Sequence, residues 1–434
     1  LVIGNYQLLI TDPYFYYLLR LSTRFPALAS RDFRIFWVGQ FISLVGTWMQ
    51  STTQPYLAYR LTGQPIYLGL VGFAATLPTL LFTLPGGVFI ERRDKRKVVI
   101  AMQTVMMLQA FTLAALALSG LITIWHIIAL AFVLGTANSI EITARQSMLI
   151  ELVGKEALPN AIALQSTIFN TARVLGPALA APFLLLLGNR GEGWAFFANG
   201  VSYLFVIAGL LIARTRPQTQ PPSKQKSAAR EFMDGQRFIR GTPVVLALIV
   251  MATVLGFFAF PFTQQIPVVA RVALAQPGDT QAAVAARNSA LLAAQGIGAL
   301  IAAVTLALFS AMPHRGRLLT AAQTIFGLAF ISLALAKSFW LALPIMMLIG
   351  WGTVTQLANT NTLIQLNVPD HLRGRVISTY LWSLQGIAPF GSLFIGWIVQ
   401  NLSLQTALLL TGSVCLLSVV ALNLYTPTLR QVET

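Results

Sequence analysis

Few residues of this chain are equipped for chemistry, and those few interrupt long apolar runs. Arg173 falls near the middle of the run 160–187, with Asn170 and Ser166 at helical spacing on the same face and Gly176-Pro177 a turn beyond. Placing a cation there costs about 2.5–3.5 kcal/mol on insertion scales, so its presence points to function by default. Either it binds an anionic or carbonyl-rich substrate or a coupling carboxylate, or it pairs internally with a Glu or with backbone carbonyls. Glu141 precedes Arg145 by four residues, the order that suits a local helical ion pair. It is also the carboxylate nearest membrane depth, which makes it the candidate for carrying a proton. Gln40, Ser43, Thr47, Gln50 and Gln54 are spaced 3, 4, 3 and 4, so one face of the first run avoids lipid. Together with Gln295, Thr353, Gln356, Ser378, Trp382, Gln385 and Pro389 they are expected to line a neutral, amide-rich cavity. Hydrogen bonding between helices is the alternative for each amide. His126, His314 and His371 fall at run ends, and no nucleotide-binding loop, metal-ligand cluster or nucleophile–base set is visible. The sequence therefore asks for no cofactor and no metal, and it does not read as an enzyme. Cys415 is the only cysteine, so no intrachain disulfide can form.

The elements that must position these residues follow from composition. Hydrophobic residues make up 56% of 434 and charged residues 10%, against about 25% charged in a soluble domain. So little charge cannot coat a water-facing surface, and runs near 20 residues long can cross about 30 Å of hydrocarbon. Twelve spans are expected: 33–58, 66–90, 98–119, 124–144, 160–187, 194–213, 244–266, 289–310, 318–336, 339–360, 376–400 and 404–424. Their length requires helices, since barrel strands are about ten residues with alternating polarity. The net charge of +16 sits in connectors rather than in an arm or on one amphipathic face, which argues for a bilayer and against nucleic acid. Alternate connectors collect nearly all Lys and Arg, and the positive-inside rule makes that side cytoplasmic, both termini included. Residues 1–30 show no cleavable signal of the usual form and are expected to be a cytoplasmic segment.

Seven consecutive charges, Glu91 to Lys97, form one tight turn of that basic side, although retention of positive charge does not account for Glu91 or Asp94. The chain also repeats. "LIELVGKEALPNAIA" (149–163) and "LIQLNVPDHLRGRVI" (363–377) align without gaps, each before a span at the same ordinal place, fifth and eleventh. A six-span repeat is the mark of two transporter halves. The expected organisation is thus 1–30 N-terminal segment, 31–213 first six-helix bundle, 214–243 cytoplasmic linker, 244–424 second bundle and 425–434 tail.

Gly87-x-x-x-Glu91-Arg92-x-x-Lys95-Arg96 resembles the signature between the second and third spans of the major facilitator superfamily, with Glu91 in place of Asp and Asp94 in place of a Gly. The resemblance implies that Gly87, Glu91, Arg92, Lys95, Arg96 and Arg145 form a cytoplasmic gate latching the halves. The second-half copy keeps Arg315-Gly316-Arg317 but has Pro313 where the carboxylate belongs. Within the superfamily, "RDFRIFWVGQFISLVGTWMQ" (31–50), residues 144–180 and "VPDHLRGRVISTYLW" (368–382) resemble the group of enterobactin exporters, transmembrane secretion effectors and macrolide-efflux proteins. This implies an all-α membrane protein of twelve helices in a bacterial plasma (inner) membrane, working by alternating access as a monomer. It implies proton-driven export, and the expected amide-lined cavity with few charges suits an amphipathic small molecule, a siderophore, macrolide-like drug or secondary metabolite. Gly176 and Pro177 match the start of the antiport-type element, but Ala180-Ala181 end it without glycine. Ala131 or a neighbour stands where drug exporters often have Arg, and Thr47 where group members carry an acid. These departures put the coupling ion in doubt. A lysophospholipid flippase and a non-transporting receptor or scaffold are the competing readings.

Overall fold

The computed structural model describes residues 25–91, 93–214, 228–308 and 315–426, and every regular element among them is helical. α1 (Arg31–Thr62) starts where the Ser30 hydroxyl accepts the Phe33 amide, and it ends at Gly63, whose φ of 64° only glycine adopts cheaply. α2 (Pro65–Glu91) follows at once, with proline in its first turn. α3 (Lys95–Leu118) begins at Asp94, whose carboxylate accepts the Lys97 amide at 3.2 Å. The charged turn therefore contains one acid with a local task, capping a helix. α4 (Ile124–Leu186) runs for 63 residues and breaks only at Gly154, with φ 76° and ψ 173°. The connector expected at 145–159 is thus helical apart from one glycine, because its residues are mostly strong helix formers. α5 (Gly191–Ile212) closes the first half.

α6 (Ala228–Gly241) precedes the second half. α7 (Pro243–Ala273) is irregular, with π turns at Leu255–Ala259 and Val269–Ala273 around a 3₁₀ stretch. α8 (Gln281–Leu308), α9 (Arg315–Leu335), α10 (Phe339–Asn367), α11 (Asp370–Asn401) and α12 (Leu404–Tyr425) complete it, α11 carrying a π turn at Trp382–Gly386. Ten segments among the described residues are long and apolar enough to cross a membrane, the whole of α4 being one of them. α1 is not among the ten, because its glutamines, serines and threonines dilute its apolar residues.

The two halves meet along α2 against α11 and along the second arm of α4 against α8. Close approach is possible because glycines line both seams. A Cβ on Gly69 would sit 2.5 Å from the Ser392 carbonyl oxygen and 3.2 Å from Gly396 Cα. One on Gly296 would sit 2.9 Å from the Arg173 carbonyl oxygen. Two hydrogen bonds tie the halves at one end: Tyr56 donates to the Gln281 carbonyl at 2.9 Å, and Gln265 to the Pro65 carbonyl at 3.3 Å. At that end Arg287 of α8 forks onto Asp279 of the α7–α8 loop and, with the Gln276 amide, holds its carboxyl down to about 2.

Candidate functional site

Arg173 sits where three helices from both halves converge. Gly176, one turn on, lets the second arm of α4 close onto α1, since a Cβ there would run into Trp48 and come within 2.8 Å of the Met49 nitrogen. That approach lays the Trp48 ring beside the guanidinium, whose Cζ is 5.5 Å from the ring centroid. Phe169 meets the same indole edge-on at 5.5 Å. On the other side, Gly296 brings α8 against the Arg173 backbone. Arg173 is half-buried and has no ion pair or hydrogen bond among the described residues. A cation–π contact returns about 0.5–2 kcal/mol, less than the insertion cost of an Arg at membrane depth. The internal pairing with a Glu or backbone carbonyls, one of the two sequence-based alternatives, is not made. The remaining charge is open to water or to an anionic or carbonyl group. On the same face, Asn170 folds back on its own helix, donating to the Ser166 carbonyl at 2.9 Å.

The polar stripe of α1 does something other than expected. Gln50 and Gln54 are 1% and 5% exposed and do not line a cavity. Gln50 donates to Gln54 at 3.1 Å and to Gln109 of α3 at 3.2 Å, and accepts from Asn199 of α5 at 2.7 Å. Thr47 shares a hydrogen bond of 3.1 Å with the Tyr203 hydroxyl, also on α5. Buried amides require partners, and three neighbouring amides supply them, so the stripe joins α1, α3 and α5.

Glu141 is buried, accepting Arg145 Nε at 2.9 Å and Gln103 Nε2 at 3.1 Å. Two acids of the expected connectors, Glu151 and Glu192, are also buried, paired with Lys95 at 2.8 Å and Arg60 at 2.7 Å. Arg96 donates to the carbonyls of Leu210 and Leu211 at the end of α5. The contacts of Lys95, Arg96 and Arg145 described here thus stay within the first half, because the acceptors in reach belong to α4 and α5. Of the other expected gate residues, Arg92 lies outside the described residues, as does Pro313; Gly87 and Glu91 belong to α2, and their surroundings lie outside the description.

In the second half, Gln295 is buried beside Gly296, and its carbonyl receives the close approach of Gly350. Thr353 is buried and bonds its own helix at Ile349. Gln356 faces a void of about 10 Å³ bordered by Met251, Thr360 and Tyr380, room for one water. Trp382 and Gln385 lie on the π turn of α11 and are exposed, next to the point where Gly386 meets Leu80 of α2. No group of three His, Cys, Asp or Glu with metal-holding geometry occurs among the described residues. Trp48 and Phe169 were not singled out from the sequence, since aromatics at helical spacing in an apolar run carry no distinguishing signal.

Ten long apolar helices among the described residues, with close glycine seams, make this a polytopic membrane protein, and the family match places it in the major facilitator superfamily. The chain belongs to the transmembrane secretion effector family of that superfamily, whose model matches residues 22–434. The multidrug efflux pump Tap of Mycolicibacterium fortuitum is 25% identical over 87% of this chain and 91% of its own. The staphyloferrin A transporter of Staphylococcus aureus is 24% identical, covering 83% of this chain and 87% of its own. The enterobactin exporter EntS of Escherichia coli is also 24% identical, over 82% of both chains. In fold, the chain is similar to the nucleoside transporter NupG, with a TM-score of 0.72 over 91% of this chain and 99% of that one at 11% identity. The family and these relatives are membrane transporters, not enzymes.

Proposed function

We propose that this protein is a secondary-active exporter of an amphipathic small molecule, a drug-like compound or a siderophore, driven by a proton gradient and working by alternating access. The observation that carries this reading is Arg173, a cation stacked on Trp48, without a counter-charge among the described residues, at the seam between the halves. Such a group suits a cargo with carboxylate, catecholate or carbonyl oxygens, and the aromatic pair Trp48–Phe169 suits its apolar part. Relatives named for export of drugs and of enterobactin support the direction of transport. Twelve spanning helices follow if α1 crosses and α4 crosses twice, once on either side of Gly154, giving two bundles of six with α6 in the linker between them. Both termini then lie in the bacterial cytoplasm with the basic turns, and one chain suffices.

The Tyr56–Gln281 and Gln265–Pro65 ties hold the end opposite Lys95 and Arg96 closed, while Gln385 and Trp382 stay exposed. We read this as a pathway open to the cytoplasm, ready to load. Glu141, linked to Gln103 and Arg145 at the loading end, is the proposed proton carrier. The test is efflux of a dye or siderophore from cells, or uptake into everted vesicles, under an imposed pH gradient. Arg173→Ala is expected to abolish gradient-driven flux with normal membrane insertion, and Arg173→Lys to retain part of it. Full flux in Arg173→Ala removes the proposed role.

A further inference from the structure

A groove of about 450 Å³ runs along the outer surface between α1 and α5, away from the Arg173 site. Its walls are apolar, with Val38, Gly39, Phe205, Ala208 and Gly209 among them, and the one charged side chain bordering it is Arg34. Glycines make the floor: a Cβ on Gly39 would sit 2.7 Å from the Phe205 carbonyl oxygen, so the two backbones touch and the side chains on either side stand as walls. Val38 and Phe205 are each 51% exposed, an apolar surface that faces acyl chains when the helices cross a bilayer.

The charge is all at one end. Arg31 and Arg34 are three residues apart on one face of α1, both exposed, and Arg214 follows α5 just past Ile212, the last groove residue. Arg96 binds the carbonyls that end α5, which places this end with the basic turns. The half-buried Asp32 is the one acid on the first turn of α1, and neither Arg31 nor Arg34 makes an ion pair with it. The side chain of Arg34 has no partner among the described residues.

We infer that this groove holds one acyl chain of an anionic glycerophospholipid, with its phosphate on Arg34. The volume falls within the roughly 300–1,000 Å³ of sites that hold small molecules. The one-ended positive charge matches a lipid whose head is anionic and whose tail is apolar, and each such cation strengthens attraction to anionic lipid by about five-fold. A zwitterionic lipid fills the apolar part equally well but gains little from Arg34.

The test uses the full-length protein in nanodiscs, with Val38→Cys labelled by a bimane and the buried Cys415 left unlabelled. Dibrominated phosphatidylglycerol or dibrominated phosphatidylcholine then competes with plain lipid at the groove. The expected result is tighter quenching by phosphatidylglycerol than by phosphatidylcholine, a preference that falls about five-fold in Arg34→Gln while Arg31 and Arg214 sustain the remainder. Ala208→Phe fills the groove from its exposed rim and is expected to weaken quenching by both lipids. Equal quenching by the two lipids in the parent protein overturns the inference, as does a preference that Arg34→Gln leaves undiminished. Absence of quenching by either lipid overturns it too, since the groove is then covered by another part of the chain or by a second copy.

Discussion

In the first half the chain breaks at Gly154, between the two arms of α4; in the second, at Val368-Pro369, between α10 and α11. The repeat alignment places these breaks at the same position, since residue 149 matches 363 and 154 matches 368. One joint uses a single glycine at φ 76° and ψ 173°, the other an ordinary extended valine at φ −115° and ψ 126° followed by proline. Each joint is fastened to the segment that precedes its own half. Asn160 accepts the Ala27 amide at 3.1 Å, and Ser30 donates to the Leu152 carbonyl at 3.0 Å. Across the molecule, Gln236 of α6 donates to Thr379 at 3.0 Å, and Arg375 reaches Asp234 at 3.3 Å. The lesson is that two joints at matching positions are held in the same way and turned by different means.

The largest break in this comparison should come from Gly154→Val. That backbone region is essentially restricted to glycine, so about 3 kcal/mol of destabilisation is expected. A Cβ there meets nothing within 4 Å, so the loss is conformational and not steric crowding. Thermal unfolding of the purified protein in detergent reads it, and Val368→Ala, which keeps an unstrained extended backbone, should lose only the packing of that buried side chain, about 2 kcal/mol. An unchanged melting temperature for Gly154→Val would mean the joint can turn some other way.

Charge at the joints should rank next. Glu151→Gln leaves Lys95 without its partner, at about 2 kcal/mol, below the value for a fully buried pair because the Lys95 side chain is 22% exposed. At the second joint, Arg373→Ala opens a pair whose side chains are 43% and 89% exposed, and the change should stay within about 0.5 kcal/mol. Comparable losses at the two sites would show that burial does not set the difference. Finest is the matched pair Asn160→Ala and Gln236→Ala, each expected to lose about 1 kcal/mol. If limited proteolysis detects loosening in only one of them, the fastenings are not equivalent.

Much of this arrangement was legible in the residues. Apolar runs locate the helices because hydrocarbon length is fixed, and the repeat points to the two joints. Asp94, unexplained as a charge in a basic turn, is accounted for as a cap. The direction of the α1 stripe was not legible, because amides at spacing 3 and 4 look alike whether they face water or the amides of α3 and α5. Only Gln109 and Asn199, on distant helices, settle it. The π turns of α7 and α11 were equally hidden, since one extra residue per turn leaves no mark in composition. Arg173 stood out, whereas its companions Trp48 and Phe169 did not.

The contact of Gly69 with Gly396 has a consequence in leverage. It lies near the start of α2, and the helix continues from there to Glu91, about 33 Å at 1.5 Å per residue. A tilt of about 10° on that contact moves the two glycines hardly at all but sweeps the far end through about 6 Å, more than one helical turn. Under the proposed alternating access, two side chains the size of a hydrogen atom would serve as a fulcrum, and a rotation too small to disturb their packing would be large enough at the other end to admit a molecule.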